Sequence, residues 1–421
     1  MSFDDCKVKI VDSIMGSGKT AGIINMINKS EDDERFVYVT PSLFEAKRII
    51  SRCKEKHFKF PRLQDGNVKL SDLKNLIKNG ENVVSTYALF QQFGKEAIDI
   101  CGATGYTLIL DEISDVVQEH HISSYDLKNI LNRYADIKED TKQLIWRDEY
   151  KNYVGEYREH KRLIDLGSLV YYNEKSIYRL FPTEVFRVFR KIYVLTYRFN
   201  SQVQRYYYDY YNIPYTYMSV MGNSLDTYRL VNSYNENANG EYDYAGLISI
   251  CKHERLNQIG DTDGALSETW YNAIRDGVAM KRLTDNIYNY FFNIIGRGSQ
   301  YNMWTTFKDY ERKMKGKGYT KGFLPLGSRG TDEYRDKTCI VYPVNIYPDH
   351  TVKNFFAVNG IKINENEYAL TEMLEFIWRS GIRDGKEINI YVPSIRMRKL
   401  LENWIEENSV LDSPTEQSKE E

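Results

Sequence analysis

The sequence predicts an α/β protein built on parallel β-sheets, and three observations support that prediction. Short runs of β-branched and aromatic residues recur through the N-terminal half and are separated by polar, helical stretches. These runs are nearly continuous rather than alternating, as expected for strands that are buried on both faces of a parallel sheet. A glycine-rich turn links the first run to a helical stretch. Strand–helix alternation with short connections favours a doubly wound sheet.

Five apolar runs are predicted as strands of this sheet, at residues 8–11, 36–39, 82–85, 106–110 and 192–195. Helical patterns follow the first three runs at 21–28, 44–54 and 87–93. The polar, Tyr-rich stretch 118–187 is predicted to be a mostly helical insertion between the fourth and fifth strands. The N-terminal lobe is therefore expected to span residues 1–222.

A second lobe is predicted over residues 223–407. Its elements are a helix at 270–295, strands at 301–306 and 338–344, a helix at 367–382, and a strand–helix pair within 388–406. Residues 408–421 are polar and acidic, so we expect them to form a disordered tail.

Composition excludes several classes of protein. The 57 Lys and Arg residues and 59 Asp and Glu residues give a net charge of −2, which excludes a polycation that binds nucleic acid by charge alone. The five cysteines are widely spaced and form no CxxC pair, so reduced thiols are expected rather than a zinc or disulfide framework. No apolar run reaches the ~18 residues of a membrane helix, and the N-terminus lacks a secretory signal. A cytoplasmic protein without a membrane partner is expected.

Residues 13–20, with the sequence SIMGSGKT, lie between the first predicted strand and a helix. A loop in this position can direct its backbone N–H groups at phosphate oxygens, next to the positive end of the helix dipole. Lys19 would reach the β- and γ-phosphates, and the Thr20 hydroxyl would ligate Mg²⁺. The predicted nucleotide-binding residues are Met15, Gly16, Ser17, Gly18, Lys19 and Thr20. The motif usually begins with Gly and here begins with Ser13, so a chance turn is the alternative, but its place between strand and helix argues against it.

A second motif is the apolar run 108–110 followed by Asp111 and Glu112. Asp111 would hold Mg²⁺, and Glu112 would polarise the attacking water. The alternative is that the two acids only cap the next helix. Because both motifs follow predicted parallel strands, at the edge where α/β proteins bind ligands, the sequence predicts a site that hydrolyses ATP with Mg²⁺.

Two arginines near the C-terminus are candidates for stabilising the charge that develops on the γ-phosphate. Arg379 and Arg383 are four residues apart, so they would share one face if the segment is helical. The alternative is that they pair with Glu372 or Glu375 on a solvated face.

The motifs together resemble those of superfamily 2 DEAD/DEAH-type helicases, and in the same order. The matching segments are residues 13–20, 40–42, 84–90, 111–114, 194–199, 304–307, 327–332 and 375–383. More narrowly, the chain resembles the compact helicase-like proteins that phages and prophages of low-GC Gram-positive bacteria carry, which share the DSIMGSGKT opening and a WRSxIR segment.

The resemblance implies two RecA-like P-loop lobes with ATP hydrolysed in the cleft between them. It also implies that Arg379 and Arg383 act in hydrolysis, that Asp332 senses the nucleotide, and that Thr196 belongs to a coupling motif. Such proteins contact nucleic acid mostly through phosphates, which a neutral chain can do. The implied contact residues are Pro41, Ser42, Thr86, Tyr87, Thr305, Thr306, Lys308 and Arg329.

The resulting hypothesis is a DNA helicase or translocase of phage replication or recombination, acting in the cytoplasm of the bacterial host. DNA is preferred over RNA as the partner, and replication or recombination proteins are further expected partners. One alternative is a nucleotide-gated DNA-loading protein that does not unwind DNA. Another is a packaging ATPase, which would need a C-terminal nuclease with clustered acids, whereas residues 225–405 offer a series of nucleotide-lobe motifs instead. The tyrosines between residues 150 and 217 are predicted to line a surface that packs between lobes or stacks on bases.

Overall fold

A computed structural model describes residues 6–62, 69–112, 116–173, 176–233, 243–274, 277–328 and 332–409. The chain divides into two compact units. The first comprises Met1–Asn239 and Pro348–Asn364, and the second comprises Gly240–Tyr347 and Glu365–Glu421.

Strands and helices alternate along most of the chain. The strands are β1 (Val8–Asp12), β2 (Phe36–Thr40), β3 (Val83–Thr86), β4 (Thr107–Asp111), β5 (Val117–His120), β6 (Ala135–Ile137), β7 (Leu144–Trp146), β8 (Leu169–Asn173), β9 (Ser176–Leu180), β10 (Lys191–Thr196), β11 (Tyr215–Met221), β12 (Arg229–Val231), β13 (Ile248–Ile250), β14 (Asn302–Trp304), β15 (Cys339–Val341) and β16 (Ile388–Tyr391). The α-helices are α1 (Lys19–Asn28), α2 (Leu43–Arg52), α3 (Lys69–Lys78), α4 (Tyr87–Phe90), α5 (Lys95–Ala103), α6 (Ser124–Arg133), α7 (Arg158–Asp165), α8 (Glu184–Val188), α9 (Val203–Tyr210), α10 (Glu254–Asn257), α11 (Glu268–Ile274), α12 (Val278–Asn289), α13 (Glu311–Met314), α14 (His350–Val358), α15 (Glu365–Ile377) and α16 (Ile395–Asn408).

The first unit is built on a sheet with the strand order β12-β11-β1-β10-β4-β2-β3. All neighbouring pairs are parallel except β11 and β12. The residues of β1, β2 and β4 are buried throughout, which explains why these strands have continuous apolar sequences. The five strands predicted from sequence are all present, and their C-terminal ends position the candidate site.

The second unit has a parallel sheet with the order β13-β16-β15-β14. Helices accompany both sheets along the chain, so the predicted fold class of parallel sheets flanked by helices is confirmed. Helix α16 ends at Asn408, the first residue of the predicted tail, and residues 410–421 lie outside the described part of the chain.

One segment departs from the predicted domain division. The sequence placed residues 348–364 in the second lobe, within 223–407, but they cluster with the first unit. The reason is the apolar face of α14, because Phe355 and Phe356 are buried in the same core as Tyr178 and Tyr206. The Tyr206 hydroxyl also accepts a hydrogen bond from the backbone N–H of Asn364, at 2.9 Å. The first unit is therefore completed by a segment distant in sequence.

The prediction of a mostly helical insertion at 118–187 is wrong. The region contains an antiparallel sheet in the order β5-β9-β8 and a β6-β7 hairpin, together with α6 and α7. The segments of β8 and β9, LVYYN and SIYRL, are rich in the β-branched and aromatic residues that favour strands. The region has its own small core, which includes Leu127, Leu144 and Trp146.

Three of the tyrosines that follow the insertion, Tyr206, Tyr207 and Tyr208, lie in the core, whereas Tyr210 and Tyr211 are partly exposed. Tyr207 and Tyr208 of α9 are fully buried, and the Tyr207 hydroxyl donates a hydrogen bond to the carbonyl oxygen of Phe181. Their rings pack against Phe186. A tyrosine can be buried in this way when its hydroxyl finds a partner, so the predicted base-stacking surface is not present at these positions.

Candidate nucleotide site

The loop after β1 has the backbone form of a phosphate-binding loop. Gly16 and Gly18 both have φ of +86°, a conformation that other residues rarely adopt. Gly18 is the N-cap of α1, and its carbonyl accepts from the N–H of Gly22 at 2.8 Å. The loop therefore delivers its N–H groups at the N-terminus of a ten-residue helix.

The side chain of Lys19 folds back into this loop. Its Nζ donates hydrogen bonds to the carbonyl oxygens of Ser13, at 2.5 Å, and of Ile14, at 2.9 Å. The ammonium group is thus held inside the loop that the sequence predicted to bind phosphate. A phosphate is a stronger acceptor than a carbonyl oxygen, because a hydrogen bond between two charged groups is stronger than one to a neutral acceptor.

Asp111 lies at the end of β4 with its side chain buried. Its Oδ2 accepts hydrogen bonds from the hydroxyls of Tyr38, at 2.7 Å, and of Thr20, at 3.5 Å. Burial, and next the negative charge of Glu112, raise the pKa of Asp111 to about 7, while the Tyr38 hydrogen bond acts in the opposite direction. A hydroxyl and a carboxylate that converge in this way are hard oxygen ligands of the kind Mg²⁺ prefers, so Thr20 and Asp111 fit the predicted cation.

Glu112 follows in a strained backbone conformation, with φ of +66°. A left-handed conformation at a residue other than glycine costs about 1–3 kcal/mol, and such strain is concentrated at functional sites. The N–H of Glu112 donates to the carbonyl of Leu195 in β10 at 3.1 Å, and the Tyr87 hydroxyl donates to the carbonyl of Glu112. These two hydrogen bonds hold the peptide of Glu112 in place.

Asp12 links the loop to the segment after β10, a role that sequence reasoning did not assign. Its carboxylate accepts from the backbone N–H groups of Arg198, at 2.8 Å, and of Phe199, at 3.0 Å. The N–H of Ser13 donates to the carbonyl of Thr196 at 3.2 Å. The predicted coupling motif is therefore hydrogen-bonded directly to the start of the phosphate loop. The sequence signal for this role of Asp12 was an acidic residue at the end of a predicted buried strand.

Four of the residues predicted to contact nucleic acid lie at one edge of the first sheet. Pro41 and Ser42 follow β2, and Thr86 and Tyr87 lie at the end of β3, which pairs with β2 so that Thr40 is opposite Thr86. All four are partly exposed. The Ser42 hydroxyl also caps α2, where it accepts from the N–H of Glu45 at 3.2 Å.

The residues of the second unit that were predicted to contact nucleic acid are less accessible than those of the first unit. Thr305 and Thr306 are buried, and the Thr306 hydroxyl contacts the Met314 sulfur at 3.0 Å. The segment stays inside because the N–H of Thr305 continues the pairing of β14 with β15, by donating to the carbonyl of Val341. Thr305 and Thr306 are therefore not exposed, whereas Lys308 is exposed, and contact of these residues with nucleic acid stays a prediction. Arg329 lies outside the described residues.

The two candidate arginines do not share a continuous helix, contrary to expectation. Helix α15 ends at Ile377, before Arg379, and Arg383 lies in a separate 3₁₀ turn, Gly381–Asp384, that Ser380 caps. Arg383 donates to the Asp332 carboxylate at 3.0 Å, in a partly exposed ion pair. Two residues that the helicase resemblance had assigned to nucleotide chemistry therefore contact each other.

Comparison with known proteins identifies the family. The model of the YonV C-terminal Rossmann-like domain matches residues 242–405. The SPbeta prophage-derived uncharacterized protein YonV of Bacillus subtilis (strain 168) is 39% identical over 409 residues, which cover 95% of this chain and 99% of that protein. The chain belongs to the YonV family. The resemblance to prophage proteins is thereby confirmed, while the assignment to a helicase superfamily stays a prediction.

Solved structures with partial likeness to this YonV-family chain include Xpd4 and a DEAD box protein. Xpd4 of S. tokodaii is 13% identical with a TM-score of 0.41, over 96% of this chain and 95% of that chain. A DEAD box protein of Methanococcus jannaschii is 13% identical with a TM-score of 0.31, over 97% of this chain and 88% of that chain. With TM-scores below 0.5, these likenesses do not bear on activity.

Across the ranges that the structure describes, none of the helices of this YonV-family chain combines the length and the apolar character that a membrane span requires.

Proposed function

We propose that this YonV-family protein is an ATPase that acts on nucleic acid, as a helicase or translocase. The observation that carries the proposal is the convergence, at the C-terminal edge of one parallel sheet, of the phosphate loop, Lys19, Thr20 and the Asp111–Glu112 pair. Nucleoside-triphosphate hydrolysis requires these groups: a glycine-rich loop, a lysine ammonium group, a hydroxyl and two carboxylates.

The chain's own residues have separable roles in this proposal. The loop N–H groups and Lys19 bind the phosphates, and Lys19 exchanges its carbonyl acceptors for phosphate oxygens. Thr20 and Asp111 would hold Mg²⁺, which neutralises developing negative charge when bound. Glu112 orients and polarises the attacking water, because it follows Asp111 directly and its peptide is fixed on both sides. Arg379 and Arg383 remain proposed contributors of positive charge.

Nucleic acid is proposed to lie along the edge formed by Pro41, Ser42, Thr86 and Tyr87. Tyr87 joins this edge to the hydrolysis site, because its hydroxyl bonds to the Glu112 carbonyl. A nucleic-acid strand bound at this edge would contact Tyr87, which is hydrogen-bonded to Glu112, the residue proposed to position the attacking water. DNA is proposed as the substrate and phage replication or recombination as the setting, in keeping with the prophage origin of the relative.

The test is the steady-state ATPase rate of the full chain, alone and with single-stranded DNA, duplex DNA or RNA. We expect hydrolysis that single-stranded DNA stimulates, and its loss in Lys19→Ala with the fold retained. Lys29→Ala, just beyond the end of α1, is the matched control and should hydrolyse normally. Hydrolysis that persists in Lys19→Ala would overturn the site assignment, and a rate that no nucleic acid stimulates would overturn the translocase proposal.

A second candidate is a nucleotide-gated DNA-loading protein that does not unwind a duplex. It is favoured by the burial of Thr305 and Thr306, and by the engagement of Arg383 with Asp332. ATP-dependent strand displacement on a forked duplex distinguishes the two, since the loader would hydrolyse ATP and bind DNA without separating strands.

A further inference from the structure

An antiparallel hairpin lies beside the phosphate loop on the side away from Asp111. Strand β12 pairs with the end of β11, with Met221 opposite Arg229, and its Leu230 packs close to Gly22 of α1. No sequence motif pointed to this hairpin.

The hairpin places an aromatic ring directly on the loop. A Cβ atom at Gly18 would lie 2.4 to 2.5 Å from the Cδ1, Cε1 and Cζ atoms of Tyr228. Any side chain at position 18 would therefore force the ring to move. Gly18 is thus required twice, for its positive φ and for the approach of this ring.

The position of Tyr228 is fixed by hydrogen bonds to the helix of the same site. The Asn25 side-chain amide in α1 donates to the carbonyl oxygens of Leu225, at 2.8 Å, and of Tyr228, at 2.9 Å. Within the turn, the Thr227 hydroxyl accepts from the N–H of Ser224 at 3.0 Å. The backbone that carries the ring is therefore held in place before any ligand arrives.

The strand order shows which part of a nucleotide this ring would meet. In the order β12-β11-β1-β10-β4, the carboxylate of Asp111, which would hold Mg²⁺ in the proposed function, lies on one side of β1 and the hairpin lies on the other. Mg²⁺ and the terminal phosphates would lie on the Asp111 side, where Thr20 and Asp111 converge. A nucleoside triphosphate is a linear chain, so its nucleoside end extends away from Asp111, toward the hairpin.

We infer that Tyr228 forms one face of the nucleobase site, against which the base of the bound nucleoside triphosphate stacks. This inference rests on the proposed function and adds the residue that holds the base. Stacking on an aromatic ring tolerates any base, because every base has a π-face. The expected consequence is similar affinity for ATP, GTP, CTP and UTP.

The experiment compares two ligands that differ by the nucleoside. Binding of Mg-ATP and of inorganic tripolyphosphate is measured by calorimetry for the full-length wild type, Tyr228→Ala, Tyr228→Leu and Tyr228→Phe. We expect Tyr228→Ala and Tyr228→Leu to bind ATP about tenfold more weakly and tripolyphosphate as the wild type does. Tyr228→Phe should match the wild type with both ligands, and so should the control Tyr125→Ala, at a 74% exposed tyrosine.

Other binding results would contradict the inference, and the pattern across the two ligands shows why. Equal weakening of both ligands would show that the ring only supports the loop, and unchanged ATP binding in Tyr228→Leu would show that it does not touch the base. Either result leaves the proposed function intact. A wild type that binds neither ligand would overturn the proposed function and this inference together. Tyr228→Leu keeps apolar bulk over Gly18, so its result stands even if the alanine variant is unfolded.

Discussion

Asp111 should make the nucleotide-free protein less stable than it would be with a neutral side chain there. The carboxyl group is buried and lies next to Glu112, and these two features raise its pKa from 3.8 to about 7. Asp111→Asn keeps the shape and one acceptor for the Tyr38 hydroxyl while removing the charge. We therefore expect the substitution to stabilise the first unit and to abolish hydrolysis, a trade that is common at active sites.

The magnitude follows from the difference in pKa. The folded state binds the proton more tightly than the unfolded state, so the protonated carboxyl group contributes its full stability below about pH 4. That stability is lost as pH rises, by about 1.4 kcal/mol per pH unit up to about pH 7, and is constant above. The accumulated cost near pH 8 is about 4 kcal/mol, which Asp111→Asn avoids.

The assay is hydrogen–deuterium exchange of the peptides that contain β4 and β10, because the chain has two units and a single melting temperature would mix them. After correction for the intrinsic exchange rate, Asp111→Asn should increase protection about a thousandfold at about pH 8. The increase should be only about tenfold at about pH 5. Asp99→Asn, at an exposed position on α5, is the matched control and should change nothing.

Protection in Asp111→Asn that equals the wild type at both pH values would refute the reasoning, because burial of the charge would then cost nothing. Increased protection of the same size at both pH values would also contradict it, since the gain would not come from ionisation. Mg-ATP should narrow the difference at about pH 8, because a bound cation compensates the charge of Asp111.

Three further outcomes are expected. Tyr38→Phe removes the hydrogen bond that lowers the pKa of Asp111, so the acid limb of the kcat/KM profile for ATP should move to higher pH; an unmoved limb would contradict this. Phe356→Ala should destabilise the first unit by about 3–5 kcal/mol, measured by exchange of the core strands, whereas Val358→Ala at a 62% exposed position should change it by less than about 0.5 kcal/mol. Tyr87→Phe removes the hydroxyl that holds the Glu112 carbonyl, so kcat should fall while KM for ATP stays unchanged, and a rise in KM alone would argue for a role in nucleotide binding.

Local sequence was sufficient for the parts of this protein whose signal is short-range. The strands β1, β2, β3, β4 and β10 were predicted within a few residues, because continuous apolar runs mark strands buried on both faces. The phosphate loop was readable because its glycines, lysine and threonine are adjacent in the chain. Asp111 was readable because it ends an apolar run, and parallel strands present their C-terminal ends at one edge.

Contacts between distant residues decided the rest. The amphipathic pattern of α14 is local, but nothing in it shows that Phe355 and Phe356 complete the core of the first unit. The sequence also did not show that Tyr207 and Tyr208 of α9 are buried, since a tyrosine suits a core and a surface equally until its hydroxyl finds a partner such as the Phe181 carbonyl.

The candidate site divides in the same way. Lys19, Thr20, Asp111 and Glu112 follow from sequence alone because their order along the chain already implies their chemistry. Tyr38 and Tyr228 enter only through the tertiary structure, because strand pairing and the β11–β12 hairpin bring them to the site. Asp12 precedes the loop in sequence, but only the pairing of β1 with β10 brings it to Arg198 and Phe199. A residue that acts by supporting another carries no motif of its own, and its role exists only where the fold places it.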